Sequence, residues 1–244
     1  MTRFVEGLAV GIPARDEADR IGPCLRSVLT AAHHADVPIA IVVAADACQD
    51  RTATIAETVL AADDAVRSEV LVTDHRSAGA ARATALDRAL ALLGPSPERT
   101  WLATTDADTV VDPSWLTTHL RWARRGVDGV AGLVRVDWED APPELPDRYA
   151  DIIAPGGIAF GHRHVHGANL GVIGSRWVEV GGCGTGPVAE DHELWRRMRR
   201  VGATVLGVDD LLVTTSGRLR ARAPQGFAHL LAELAAQDDL EETA

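Results

Sequence analysis

Asp106-Ala-Asp108 places two carboxylates one residue apart, directly after the apolar run Trp101–Thr105. Such a pair can offer oxygen ligands to one divalent cation. Mg²⁺ and Mn²⁺ prefer oxygen and commonly share their shell with substrate phosphates. The same residues also fit a turn with helix-capping aspartates, because Asp112-Pro113 follows closely. Glu190-Asp191 precedes a segment with helical spacing, where acids favour the macrodipole and cap free amides. His162, His164 and His166 alternate, so an extended backbone would put them on one face. No nearby Cys or acid completes a metal set there, and a polar strand face or a binding-pocket lining is the expectation. Gly181–Gly186 lacks the spacing of a dinucleotide fingerprint and reads as a flexible loop, with Thr185 able to donate a hydrogen bond.

These residues need elements to position them. Leu8–Ile12 is a short apolar run closed by Pro13 and reads as a buried strand. Asp16 to Ala35 carries Ile21, Leu25, Val28 and Leu29 at helical spacing, with Asp16 as N-cap. Ile39–Ala45 is a second strand, and Asp50 or Thr52 opens a helix through Ile55, Val59 and Leu60. Val70–Thr73 is a third strand, Ala78–Leu93 an Ala-rich helix broken by Gly94 to Pro97, and Trp101–Thr105 a fourth strand. This alternation predicts an α/β fold with a mostly parallel sheet and helices on both faces. The second half is less regular. It predicts a helix over Trp115–Arg125, strands over Gly129–Val136 and Gly171–Ile173, a proline-rich loop from Trp138 to Ile158, a helix over His192–Val201 with Leu194, Trp195, Met198 and Val201 inward, and a last strand over Thr204–Val208. In a parallel sheet, ligands bind beyond the carboxyl ends of the strands. The residues after the four leading strands are polar: Pro13–Glu17, then Asp46 and Asp50, then Asp74, Arg76 and Gly79, then Asp106 and Asp108. Four carboxylate-bearing strand ends are expected on one edge.

Composition narrows the classes. The chain has 244 residues with 46% hydrophobic and 24% charged, an ordinary globular balance. A formal charge of -11 disfavours nucleic acid as a partner, because phosphates need a basic surface. A phosphorylated ligand would need a metal ion or placed arginines to offset the repulsion. No apolar run reaches the ~18 residues of a membrane span. The opening Met1–Glu6 places an acid where a signal peptide needs apolar residues, so a cytoplasmic protein is expected. The three cysteines, Cys24, Cys48 and Cys183, show no metal-binding spacing and read as buried or bystander thiols.

Five segments in order, spanning Val10 to Gly202, resemble the GT-A glycosyltransferases, specifically the inverting family 2 enzymes that use nucleotide sugars. Val10–Glu17 resembles the family's first strand and its polar pair. Val42–Thr52 resembles the second, with an Asp that contacts the base. Gly79–Arg82 is similar to a shortened Gly-x-Ala-x-Ala-Arg segment, Asp106–Asp108 to the metal motif, and Glu190-Asp191 to the acids carrying the catalytic base. The resemblance implies a GT-A fold in one domain over residues 1–230. Its nucleotide-binding half would cover about 1–110 and its acceptor half about 111–230, with 231–244 an acidic tail whose last residues, Gln237–Ala244, fray. It implies that Pro13, Ala14, Glu17 and Asp46 line the base and ribose, with Gly79, Arg82, Asp106 and Ala107 also on the nucleotide side. Asp108, with Asp106, would hold Mn²⁺ or Mg²⁺. Asp191 would deprotonate the acceptor hydroxyl, and His166, Asn169, Thr185 and Glu190 would border the sugar and acceptor. The donor expected is a UDP-sugar ahead of GDP or dTDP sugars, on family frequency; the acceptor is open.

One departure stands out. Many such enzymes supply a late histidine as a metal ligand, whereas this chain reads Val213–Arg222 there, and His229 lies in a helix-like segment. Arg218, Arg220 and Arg222 are candidates to supply positive charge to the diphosphate, or else form a solvated basic segment. Two rivals remain: a sugar nucleotidyltransferase, which would want a Gly-rich basic loop after strand one that Pro13–Glu17 lacks, and a GT-A domain that binds a nucleotide sugar without turnover.

Overall fold

The structure is a computed structural model. It describes residues 2–94, 96–138, 141, 145–146, 165–183, 190–218, 231, 234 and 236. Among these, the strands are β1 (Gly7–Ala14), β2 (Ile39–Asp46), β3 (Arg67–Thr73), β4 (Thr100–Thr104), β5 (Thr109–Val111), β6 (Gly129–Asp137), β7 (Leu170–Ile173) and β8 (Val205–Ser216). The helices are α1 (Ile21–His33), α2 (Thr52–Leu60), α3 (Ala78–Leu93), α4 (Trp115–Arg124), α5 (Gly174–Val180) and α6 (Glu190–Arg200). The strands form one sheet in the order β3-β2-β1-β4-β7-β6-β8-β5. β1 to β4 are mutually parallel, as the alternating pattern predicts. The second half is mixed, because β7 runs antiparallel to both β4 and β6, and β5 antiparallel to β8.

Period-2 alternation along the leading strands sends side chains to two separate cores. Leu8, Val10 and Ile12 of β1 pack with Ile21, Leu25 and Val28 of α1, with Ala56 and Leu60 of α2, and with Trp115, Leu116 and Leu120 of α4. Ala9 of β1 and Ala40, Val42 and Ala44 of β2 face the other way, against Ala81, Ala85 and Ala89 of α3 and Trp177, Leu194 and Met198. The helices therefore cover both faces. The alanines set how closely α3 approaches: a Cβ added at Gly11 would lie 2.6 Å from Leu86 Cγ and 2.8 Å from the Leu86 backbone nitrogen.

Several boundaries differ from the sequence expectation. Pro13 does not close β1; it lies inside it, paired with Ala44 on one side only. Pairing with β4 stops at Gly11 and Thr104, so the chain tolerates the missing N–H beyond that point. Asp16 is not the cap of α1, which starts at Ile21 behind Arg20. Asp16 instead takes a left-handed φ of 53° and its Oδ1 accepts the Gln49 N–H. Val201 is not inward; it follows the end of α6 and is 38% exposed. β5 and α5 were not expected, and β8 runs eight residues past Val208, to Ser216. α3 spans the predicted residues, capped by Ser77 Oγ accepting the Ala80 N–H and ended by Gly94 at φ 91°.

Two tryptophans fasten the centre. Trp101 Nε1 donates to His119 Nδ1 at 3.2 Å, and burial pushes the His119 pKa down to about 3, so the ring stays neutral and can accept. Trp115 Nε1 donates to Asn169 Oδ1 at 2.9 Å. Leu231 and Leu234 pack with Val136 and Leu145.

Gly11→Ala is expected to destabilise the protein by about 1–3 kcal/mol, the usual range for overpacking a tight core. A urea unfolding midpoint equal to that of the unsubstituted protein would contradict the close approach of α3 to β1.

Candidate active site

The chain leaves β1 toward β2 and β3, then returns across β1 to reach β4 on the other side. The strand order thus reverses between β1 and β4, the position beyond whose carboxyl ends open sheets of this kind place their ligand crevice. The segments after these two strands carry Glu17 and Asp106-Ala-Asp108. β5 begins immediately after Asp108, so those acids sit on a short connection fixed by strands at both ends. Cys24 of α1 fixes it further, its thiol donating to the Asp106 carbonyl at 3.4 Å.

Two arginines gather the acids. Arg82, on α3, is only 3% exposed. Its Nη1 donates to Thr104 Oγ1 and to the Gly167 carbonyl, both at 3.0 Å, and its Nη2 to Asp106 Oδ1 at 3.0 Å and Glu190 Oε1 at 3.5 Å. Burial works against its charge, but Asp106 and Glu190 outweigh that and raise its pKa. Arg218, two residues past β8, grips Glu17 bidentately at 2.7 and 2.6 Å and meets Asp108 Oδ2 at 3.0 Å. Asp108 Oδ1 is held by the hydroxyls of Thr215 at 3.3 Å and Thr109 at 3.4 Å. Asp191, in the first turn of α6, accepts the Gly167 N–H on Oδ2 at 2.9 Å and the His192 N–H on Oδ1 at 2.7 Å. Gly167 therefore links Asp191 to Arg82 and so to Asp106. A Cβ at Gly167 would stand 2.4 Å from Arg82 Nη2, so only glycine lets the buried guanidinium reach this turn.

The predicted residues divide into four groups. Glu17, Arg82, Asp106, Asp108, Glu190 and Asp191 are brought together by the contacts above. Arg82 pairs with its acids inside the protein rather than on a helix surface. Glu17 is 5% exposed and precedes α1, so it is not a solvated first-turn residue. Asp46 stands at the end of β2, its Oδ1 accepting from Thr73 Oγ1 at 3.0 Å and the His75 N–H at 2.6 Å, its Oδ2 from the Ser77 N–H at 3.1 Å. It thereby shapes the turn that opens the helix bearing Gly79 and Arg82. Pro13, Ala14, Gly79 and Ala107 are buried around these segments, and His166 leads into the Gly167 turn. Asn169 needs a correction. It is fully buried, and its amide is spent on Trp115, the Leu133 carbonyl and the Leu211 carbonyl. It joins β6, β8 and α4 in place of the expected acceptor contact. Thr185, His162, His164, Arg220, Arg222 and His229 lie outside the described residues.

Sequence reasoning missed Thr109 and Thr215, whose hydroxyls orient Asp108, and Thr104, whose hydroxyl accepts from Arg82. The signal was faint: threonines at the ends of apolar runs. Asp16, Cys48 and Asp50 also bring ligand atoms within 4.8 Å of one another. The carboxyl oxygens of Asp50 already accept from the Ala18 and Thr52 N–H groups, and this group ties the β1 and β2 end loops together.

The principal cluster suits a divalent cation. Glu17, Asp106, Asp108 and Glu190 are four carboxylates paired with two guanidinium groups, a formal surplus of two negative charges among the described residues. Burial pushes the Asp108 pKa up to about 6, with Asp106 and Glu17 adding to the rise and Arg218 opposing it. A bound cation relieves that strain, and Asp108 with Asp106 would hold it.

Two outcomes are expected. Breaking a buried pair leaves an uncompensated charge, so Arg82→Ala should cost about 3–5 kcal/mol in guanidinium denaturation. Arg82→Lys, a point charge without the fork, should recover little. A loss under about 1 kcal/mol would mean the pairs act like exposed ones. Because folding raises the pKa of Asp108 from 3.8 to about 6, the cost of keeping it ionised is present above about pH 6 and vanishes below the unfolded value. Asp108→Asn should therefore be the more stable protein at pH 8, by up to about 3 kcal/mol, with the advantage shrinking toward pH 4. A stability difference that does not change with pH would contradict it.

The Glycosyl transferase family 2 model matches residues 9–169. No curated protein sequence matches the chain. Among solved structures, a Pyrobaculum calidifontis mannosyltransferase in complex with GDP-Man and Mn²⁺ is 18% identical with a TM-score of 0.67, covering 97% of this chain and 63% of its own. S. aureus TarS in complex with UDP-GlcNAc is 14% identical with a TM-score of 0.64, over 96% of this chain and 66% of its own. A Mycobacterium tuberculosis glucosyl-3-phosphoglycerate synthase in complex with Mn²⁺, UDP and phosphoglyceric acid is 16% identical with a TM-score of 0.54, over 96% and 75%. The chain thus spans under two thirds of the mannosyltransferase. At these identities the likeness shows the shared GT-A fold. Among the described residues no helix is long and apolar enough to cross a membrane. With the family model covering well over half of its length, the chain belongs to glycosyl transferase family 2.

Proposed function

We propose that this protein moves a sugar from a nucleoside diphosphate sugar to an acceptor hydroxyl, with inversion at the anomeric carbon. The observation that carries this reading is the union of Asp106-Ala-Asp108 with Glu190-Asp191 through Arg82 at the switch point of the sheet. An acid pair able to hold a cation and a carboxylate able to take a proton then border one crevice. Residues up to about 110 form the nucleotide half of this reading and those from about 111 to 230 the acceptor half.

The roles follow from what each group touches. Asp108 and Asp106 would hold Mn²⁺ or Mg²⁺, which when bound stabilises the charge that develops on the leaving diphosphate. Asp191 takes the proton from the acceptor oxygen as it attacks; the Gly167 and His192 N–H groups fix the direction of its carboxylate. Glu190, tied to Arg82, stands beside it at the start of α6. The donors in the similar structures, GDP-Man and UDP-GlcNAc, support a nucleotide sugar without choosing the base. UDP is the first choice here, with GDP and dTDP next.

The test is a pair of measurements. UDP, GDP and dTDP are screened by thermal shift with and without Mn²⁺, and one base should give a shift that depends on the ion. Hydrolysis or transfer is then followed for the protein and for Asp191→Asn. The variant should keep the thermal shift and lose about 10²- to 10⁴-fold in kcat, the usual contribution of a positioned base. Equal rates would remove Asp191 from the mechanism. A nucleotide shift without any turnover in the unsubstituted protein would favour a binding module.

A further inference from the structure

Arg218 stands where a cation would otherwise be drawn. Its Nη2 lies 3.0 Å from Asp108 Oδ2, on the carboxylate that the proposed function assigns to the metal. Glu17 holds the other side of the same guanidinium with two short hydrogen bonds, at 2.7 and 2.6 Å, so the arginine is anchored independently of Asp108. Its side chain is 17% exposed, enough to lie at the rim of the crevice while remaining mostly out of water. Its Nε–H is buried and finds no partner among the described residues, which leaves one donor of the fork uncommitted. An unmade hydrogen bond at a buried donor is costly. The position two residues past β8, on a strand whose Thr215 also grips Asp108, fixes the guanidinium against the acid rather than leaving it to sample the surface.

From this geometry we infer that Arg218 is a built-in counter-cation that competes with the divalent ion for Asp108, so that the ion binds tightly only together with a nucleoside diphosphate. The inference rests on the proposed function and adds to it an order of affinities. Without a diphosphate, a free cation has to share Asp108 with a guanidinium already in place, and like charges a few ångströms apart repel. The diphosphate brings negative charge, which offsets the repulsion between the guanidinium and the ion. The affinity of each ligand then rises in the presence of the other, and by thermodynamic necessity by the same factor.

The experiment is a Mn²⁺ titration followed by electron paramagnetic resonance, with and without UDP or GDP, on the full chain and on Arg218→Gln and Arg218→Lys. In the unsubstituted protein, Mn²⁺ alone should bind weakly and the nucleotide should tighten it strongly. Arg218→Gln removes the competing charge and should bind Mn²⁺ alone about tenfold tighter, with a smaller gain from nucleotide. Arg218→Lys keeps the charge and should bind Mn²⁺ alone about as weakly as the parent. Should Arg218→Gln fail to fold, Arg218→Met, which retains much of the stem's packing, takes its place. Equal Mn²⁺ affinity in parent and Arg218→Gln, or loss of Mn²⁺ binding in the variant, overturns the inference and leaves the proposed function standing. A parent protein that binds neither ion nor nucleotide overturns both.

Discussion

Arg82 carries its charge into the interior and draws acids from distant parts of the chain toward it. Asp106 comes from the connection after β4, Glu190 from the start of α6, and the Gly167 carbonyl from the turn before β7. A guanidinium buried this deeply is tolerated only where carboxylates and carbonyls take the place of water. The obligation runs both ways, because the acids need the arginine as much as it needs them. Gly11, Gly167 and the alanines of α3 let this helix lie close enough for the side chain to reach. The packing of α3 on β1 and the assembly of the crevice are therefore one problem with one solution.

The crevice keeps more acid than its arginines neutralise. Burial and neighbouring carboxylates lift the Asp108 pKa to about 6, which is a cost to the folded chain near neutral pH. Proteins retain such costs at functional sites, where a ligand of opposite charge repays them. The surplus is negative, the sign a bound cation would balance, in a protein whose overall charge is -11.

Much of this was legible beforehand, for identifiable reasons. The leading strands read clearly because continuous apolar runs such as Ile39–Ala45 are what doubly covered strands require. α3 read to the residue because Ser77 and Gly94 bracket a long run of strong helix formers. The three residues of β5 and the seven of α5 are too short to establish a period. The bond from Arg218 to Glu17 joins residues 201 apart in sequence, and no local pattern announces it. Asn169 misled because only the family resemblance placed it at the acceptor pocket, whereas its amide bonds backbone carbonyls inside the core. Asp16 misled because a cap and a loop staple use the same residue type.

The central claim is that the gathered acids form one seat for a cation and a diphosphate. Diffraction from crystals grown with Mn²⁺ and a nucleoside diphosphate, collected at the manganese edge, tests it most directly. The account requires an anomalous peak within ligand distance of Asp108, with the diphosphate beside it in the crevice between β1 and β4. A peak at Asp16, Cys48 and Asp50 alone, or a nucleotide bound away from Asp108, would contradict it.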